Sequence, residues 1–292
     1  MAMTLTAPAP AAPVAAAAPV TAPAPVRRPL KPAAAQVRTF EVVASRTVSP
    51  GFRRVTLQST GDGFEDEFEH FGHDHWFRLF FAGVGQELDL PFGPADGWYA
   101  RLLAMPGATR PAVRNYTVRE ARRVGGRWQL DVDLVVHRDA AGQVDGAGAR
   151  WAQRCRDGER VGLLDQGRIF DADEHAGPVL VIADESGLPG VEGIAGSLAG
   201  RDATYLLEVP HAADRRELPA ADVRWLVRDG GRPAGSTALD ALRATRVDPA
   251  AYVYVVGEAS FTLAARAHCL SAGVPKSRID FCAYWRSDRV RA

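Results

Sequence analysis

Lysine is almost absent from this chain: of 35 basic residues only Lys31 and Lys276 are lysines, so nearly every cation is an arginine. Net charge is absent too, with 35 acidic residues against 35 basic ones, which leaves no overall positive field to draw the molecule onto nucleic acid or an anionic bilayer. Cysteine is scarce. Cys155, Cys269 and Cys282 lie far apart, so there is no CxxC pair, no zinc spacing and no set of four thiolates for an iron-sulfur cluster; this usage fits a reducing cytoplasm. No run of 18 apolar residues occurs after residue 36, and proline interrupts the alanine-rich opening every few residues, which excludes a spanning helix and stable membrane insertion there. Arg27 and Arg28 follow that apolar opening, whereas a secretory signal carries its basic residues first.

What remains is 292 residues at 47% hydrophobic, enough for two domains each with its own core. Residues 1–35 hold 14 alanines and 8 prolines and few large side chains, so they are expected to be a disordered tail. From Val37 the chain turns to short β-branched and aromatic stretches: Thr39 to Val43, Arg53 to Leu57, His75 to Phe81, Val113 to Val118 and Trp128 to Val136. Leu130, Val132, Leu134 and Val136 alternate with Asp131 and Asp133, the period of a half-buried strand with its carboxylates facing water. Several such strands without long helices between them predict an antiparallel barrel or sandwich over 36–175. From about residue 176 strands alternate with helix-compatible stretches. Val179 to Ala183, Thr204 to Val209, Val223 to Val227, Tyr252 to Val256 and Ile279 to Ala283 are the strands; Gly190 to Leu198, Ala238 to Ala244 and Phe261 to Ala272 are the helices. This predicts an α/β domain with a parallel sheet over 176–292. Ligands of such sheets bind at the carboxyl ends of the strands, which draws attention to Asp184-Glu185-Ser186-Gly187, Arg228-Asp229-Gly230-Gly231, Gly257-Glu258-Ala259-Ser260 and Tyr284-Trp285-Arg286.

In the first domain, Arg114-Asn115-Tyr116-Thr117 puts a guanidinium, an aromatic ring and a hydroxyl at a strand end, which suits a pyrophosphate, the face of a flat cofactor and its polar edge. By itself the stretch also reads as an ordinary strand with alternating exposed side chains. Downstream, Gly146-Ala147-Gly148-Ala149-Arg150-Trp151-Ala152 runs small residues into a short helix, a place where backbone N–H groups can approach a phosphate, although the spacing is not the GxGxxG of a dinucleotide fold.

The order of these segments resembles the siderophore-interacting protein family, the flavin-dependent ferric-siderophore reductases of the ferredoxin-reductase-like superfamily, from about Phe40 to Arg286. The family's Arg-x-Tyr-Thr is similar to Arg114, Tyr116 and Thr117. Its strand ending in His followed by a glycine-containing loop into Trp-Ala is similar to His137 through Gly146, Gly148, Trp151 and Ala152. Its acidic Gly-Asp-Glu-x-Ala-Leu-Pro-Ala is similar to Ala183 through Gly190, with Asp184 and Glu185. Its Gly-Glu and Tyr-Trp segments are similar to Gly257-Glu258 and Tyr284-Trp285. The resemblance implies an antiparallel Greek-key β-barrel that binds FAD, followed by an α/β domain that binds NADPH or NADH, and electron transfer to a ferric siderophore with release of Fe(II). It implies that Tyr116 and Thr117 face the reacting flavin, that Arg114, Asn115, His137, Gly146, Gly148 and Trp151 hold FAD, and that Asp184, Glu185, Gly257, Glu258, Tyr284 and Trp285 line the cofactor sites. Where the family often has a Gly-Pro-x-Gly-Ser-type turn, this chain has Leu164-Asp165-Gln166-Gly167-Arg168, placing a carboxylate near the expected phosphates.

Arg228 follows a strand and suits a 2′-phosphate or, equally, solvent. Arg286, Arg289 and Arg291 form a basic cluster suited to an anionic ferric chelate or to a solvated terminus. His70, His73 and His75 with Asp74 precede a strand whose periodicity sends neighbouring side chains to opposite faces, so no metal site is expected. Ser186 lacks the nucleophile elbow of a hydrolase. Two other functions compete: a biosynthetic flavoprotein using FAD with another acceptor or in a non-redox step, and a siderophore-binding protein without activity. The identity of the siderophore, the choice between NADH and NADPH, and the oligomeric state are not legible in the sequence.

Overall fold

The computed structural model describes residues 30–139 and 141–287. Its first half holds β1 (Arg38–Ser49), β2 (Phe52–Ser59), β3 (Trp76–Phe81), β4 (Ala112–Thr117), β5 (Glu120–Val124), β6 (Arg127–Val135), the two-residue strands β7 (His137–Arg138) and β8 (Val144–Asp145), and β9 (Arg160–Gly167). Helices α1 (Phe64–Glu67), α2 (Trp98–Ala104) and α3 (Ala147–Arg154) lie in the connections. Seven strands pair antiparallel in the order β4-β3-β9-β1-β2-β6-β5. The two edge strands are consecutive in the chain and joined only by Val118 and Arg119, so the sheet has to curl until its edges meet; the link is fastened by the N–H of Val118 on the His75 carbonyl and that of Arg119 on the Asp131 carbonyl. The result is the expected Greek-key barrel. Phe40, Val42, Leu57, Phe77, Leu79, Leu130, Val132 and Val161 fill it, each full burial worth about 1.5–3 kcal/mol before the entropy cost of ordering.

The second half is the expected α/β unit. Strands β10 (Val179–Ala183), β11 (Ala203–Val209), β12 (Asp222–Val227), β13 (Tyr252–Glu258) and β14 (Ile279–Trp285) pair in parallel in the order β12-β11-β10-β13-β14. Helices α4 (Leu188–Ser197), α5 (Ser236–Ala244) and α6 (Ala259–Ser271) cover the sheet. Strand alternation assigns the faces: Val179, Val181, Tyr252, Tyr254 and Val256 pack with α4 and with Phe52 and Phe170, whereas Leu180, Ile182, Val253 and Val255 pack with α5 and α6. Strand order reverses at β10, so the crevice of a doubly wound sheet opens at the carboxyl ends of β10 and β13.

The domains are joined by polar contacts withdrawn from water. Asp74, fully buried in the barrel, accepts the N–H groups of Ile169 and Phe170 and the Tyr254 hydroxyl at 2.7 Å. Asp214 of the second domain accepts the Ser49 hydroxyl at 2.5 Å and the Gly51 N–H at 2.8 Å. Asp133 binds Arg54 of the barrel and Arg216 of the second domain, and Glu192 on α4 pairs with Arg216 and Arg119. The polar face of β6, expected to meet water, is thus buried: Asp131 and Asp133 retain 7% and 3% exposure, because arginines from both domains cover them.

Residues 1–29 of the expected tail lie outside the described residues, but residues 30–35 are not disordered: Leu30 bridges to Arg168 and the Ala35 carbonyl accepts the Ala95 N–H. Among the described residues no helix is long and apolar enough to cross a membrane, and no three His, Cys, Asp or Glu side chains are grouped to hold a metal. The histidines lie in the turn before β3: His70 stacks on His75, which sits between the Phe71 N–H and the Asp165 carboxylate, and His73 turns to Ser197 and Asp173.

Candidate functional site

Strand β4 is an edge of the barrel, and Arg114 and Tyr116, two residues apart, share one of its faces. Tyr116 lies opposite Phe77 and packs against the barrel core, and burial raises its phenol pKa while the neighbouring Arg114 pulls the other way. Its hydroxyl is aimed at the first turn of α3, where a methyl group in place of the Gly148 hydrogen would collide with it and would stand 3.8 Å from Arg114 Cγ. Gly146 caps α3 with φ 86° and offers no side chain to the free N–H groups that follow. Arg114 is exposed, touches the Val113 carbonyl, and makes no ion pair among the described residues. An uncapped helix start beside an arginine that has no ion pair is a candidate anion seat. The nearby Asp145 is spent on the Gly146 N–H and on Arg150.

The other two residues of the stretch face the opposite way. Asn115 is exposed and accepts from Arg78, whose guanidinium lies over the Trp76 and Trp98 rings; Thr117 is buried beside Gly190 of α4, at the joint between domains. Alternation therefore splits what the sequence suggested as one row, and only a ligand straddling the free edge of β4 meets both sets. Trp151 does not face a ligand: it is 1% exposed, tilted against Phe81 at 5.3 Å, with its indole N–H given to Glu159. Nor does Asp165 point free charge at this seat, since it accepts from His75 and from the Gly167 N–H.

At the carboxyl end of the parallel sheet, Asp184 occupies the crevice. One oxygen accepts from the Ser186 N–H and hydroxyl, the other from the Glu258 N–H at 2.7 Å and the Trp285 indole at 3.1 Å. Its carboxyl fills the space a Cβ would need on Gly257, whose φ of 143° already demands glycine. Burial, with the charge of Glu185 beside it, raises the Asp184 pKa to about 7. Glu258 behaves oppositely: burial pushes it up, but bonds from Ser260, Phe261 and Ser287 hold it below the usual carboxylate range. The His137 ring lies 5.1 Å from that of Trp285, and burial depresses its pKa against the pull of Glu185. Tyr284 is taken up by the domain joint, sharing a 2.9 Å bond with Tyr254.

Arg228 is not free for a phosphate. It forks onto Glu185 at 2.8 and 3.0 Å and reaches Glu208 at 2.7 Å. Glu208 was not singled out by the sequence reading, although a carboxylate ending the apolar strand Ala203–Val209 is the signal that could have found it. Arg286 is exposed just past β14, whereas Arg289 and Arg291 lie outside the described residues.

Comparison with known proteins matches this two-part geometry. A family model described as a siderophore-interacting FAD-binding domain matches residues 41–169, and one described as siderophore-interacting protein matches residues 176–288. The chain belongs to the siderophore-interacting protein family. An uncharacterised protein of Mycobacterium tuberculosis is 29% identical over 205 residues, 68% of either chain. A siderophore utilization protein from T. fusca is 27% identical with a TM-score of 0.63, covering 86% of this chain and 93% of that one. The siderophore-interacting protein SipS from Aeromonas hydrophila is 22% identical, with a TM-score of 0.65 over 86% of this chain and 99% of that one, and shares the fold. So does a ferredoxin reductase of carbazole 1,9a-dioxygenase, 19% identical, TM-score 0.57, covering 85% and 69%. The first domain is thus an FAD-binding domain, and the chain shares the fold of the ferredoxin reductases. The residues of the candidate anion seat fit such a group: Arg114 without an ion pair, the uncapped start of α3, and a Gly148 whose missing side chain admits the Tyr116 hydroxyl to the helix start.

Proposed function

We propose that this family member is a cytoplasmic NAD(P)H-dependent ferric-siderophore reductase, with residues 36–175 as its FAD domain and 176–292 as its nicotinamide-nucleotide domain. The observation that carries the reading is the unneutralised Arg114 facing the bare, uncapped start of α3 under the Tyr116 hydroxyl. Arg114 and the α3 N–H groups hold the diphosphate of the flavin, Tyr116 contacts its ring, and Thr117, at the domain joint, meets its polar edge. Asp184, Glu185, Gly257 and Glu258 line the crevice for the donor, while His137 and Trp285 form an aromatic wall that keeps water from it. Arg286, one exposed cation past β14, draws in an anionic ferric chelate. Bound FAD supplies the conversion between a two-electron hydride donor and a one-electron iron acceptor. Release follows from ion chemistry, since Fe(II) carries less charge than Fe(III) and hard oxygen ligands hold it less tightly.

The test is anaerobic mixing of the FAD-loaded protein with NADH or NADPH, then with ferric chelates. The reading requires that the flavin bleach with a donor and recover its colour on adding a chelate, with Fe(II) appearing. Bleaching without recovery would move the protein to another acceptor; protein that retains no flavin would end the proposal.

A further inference from the structure

Three helical segments begin at the carboxyl end of the parallel sheet, and each start is already occupied by a carboxylate of this chain. Asp184 accepts the Ser186 N–H at the start of the 3-10 turn leading into α4. Glu208 accepts the N–H groups of Gly235, Thr237 and Ala238 at the start of α5, at 2.7, 2.8 and 3.0 Å. Glu258 accepts those of Ser260 and Phe261 at the start of α6. These are the donors that a phosphate would otherwise recruit. Asp184, Glu185, Glu208 and Glu258 are all buried, at 5% exposure or less. The cation set among them, Arg228, is divided between Glu185 and Glu208.

We infer that the second domain selects a dinucleotide whose adenosine ribose carries a free 2′-hydroxyl, NADH rather than NADPH, and that Glu208 sets this choice by holding Arg228 away from a 2′-phosphate. The inference rests on the nicotinamide-donor reading above and deepens it. A 2′-phosphate brings between one and two further negative charges to the ends of β11 and β12. To be bound it would have to draw Arg228 away from two buried carboxylates, stripping Glu185 of its fork and leaving Glu208 to its three amides without a cation, a loss that outweighs the new contact. A ribose hydroxyl makes no such demand. It donates to a carboxylate and leaves the fork between Arg228 and Glu185 intact, which is how an acidic residue at the end of the neighbouring strand reads ribose in doubly wound folds. Glu208 is therefore a specificity-determining residue, fixed in place by three amides and one guanidinium.

Calorimetric titration of the FAD-loaded protein with NAD⁺ and with NADP⁺ reads the choice without flavin turnover, and anaerobic bleaching with NADH and NADPH reads it a second way. NAD⁺ is expected to bind at least about tenfold more tightly. Glu208→Gln keeps an oxygen for the helix cap but leaves Arg228 held by Glu185 alone, and it should narrow that ratio at least threefold by improving NADP⁺ binding. Equal or tighter binding of NADP⁺ to the unaltered protein would overturn the inference and leave the donor reading standing, whether or not the variant folds. If neither nucleotide binds nor bleaches the flavin, while dithionite-reduced flavin still reduces ferric chelates, the donor reading falls and takes this inference with it.

Discussion

At the start of α3 the barrel leaves a helix N-terminus bare, with glycine at the cap and an unpaired arginine in front, whereas at the starts of α5 and α6 the second domain fills the same kind of place with its own glutamates. Both arrangements satisfy the backbone donors of a helix terminus, one through a future ligand and the other through the chain. The difference teaches where negative charge can enter. An arriving anion would meet two kinds of donor at α3, whereas at the parallel sheet it would compete with carboxylates already bonded to the amides of Ser186, Gly235, Thr237, Ala238, Ser260 and Phe261.

The largest expected effect comes from breaking the filled end. Glu208→Ala removes a helix cap and leaves Arg228 with half its charge partners, so urea unfolding should show a loss of about 3–5 kcal/mol; a change under about 1 kcal/mol would mean that the cluster is not a unit. Breaking the bare end costs affinity instead of stability. Arg114→Ala should weaken FAD binding by about 1.5–3 kcal/mol with an unchanged unfolding midpoint of the flavin-free protein, read by equilibrium dialysis. Gly148→Ala drives a methyl group into the Tyr116 hydroxyl and should cost about 1–3 kcal/mol, shared between folding and FAD retention.

A smaller effect separates the ends by pH. Asp184 has an unfolded pKa near 3.8 and a folded value of about 7, so the stability its proton confers is complete below the lower figure and is lost as pH rises through the upper one. His137, depressed by burial, works at the other side: its neutral form favours folding above its ordinary pKa of 6.5, and that contribution is lost as pH falls. Comparing thermal midpoints of the wild type and Asp184→Asn across pH 4 to 8 isolates the first group. The variant should lose the decline between about pH 4 and 7, and an identical slope would place the titration elsewhere. The smallest effect is at the surface: Arg286→Ala should raise the KM for a ferric chelate no more than about threefold, with the difference vanishing in high salt. A difference that persists in salt would point to a direct contact.

Strand β6 was legible because leucine and valine recur at every second position from Leu130 to Leu134, although both of its faces are buried. Strand β9 was missed: Gly162, the pair Leu163-Leu164 and buried Asp165 interrupt that rhythm, since both of its faces are covered. All five parallel strands were legible from their apolar runs, as was the acidic stretch after β10. What the sequence could not show was pairing over distance. Arg228 reads as a free cation beside its own strand, yet its partners Glu185 and Glu208 come from other strand ends. Asp131 and Asp133 read as solvent-facing because the residue that covers Asp133 from the second domain, Arg216, is 83 positions away. Trp151 shares its segment with Gly146 and Gly148, and only the fold shows that the helix turns it inward onto Phe81 and Glu159.

If Arg114 and the bare start of α3 receive a diphosphate while Tyr116 receives the ring, the phosphates must carry most of the affinity. The direct measurement compares the affinity of flavin-free protein for FAD with that for riboflavin, which has the ring but no phosphate, in the wild type and in Arg114→Ala. The account predicts that the wild type favours FAD strongly and that the substitution erodes this preference by weakening FAD alone. Equal losses for both ligands, or no loss for either, would contradict it.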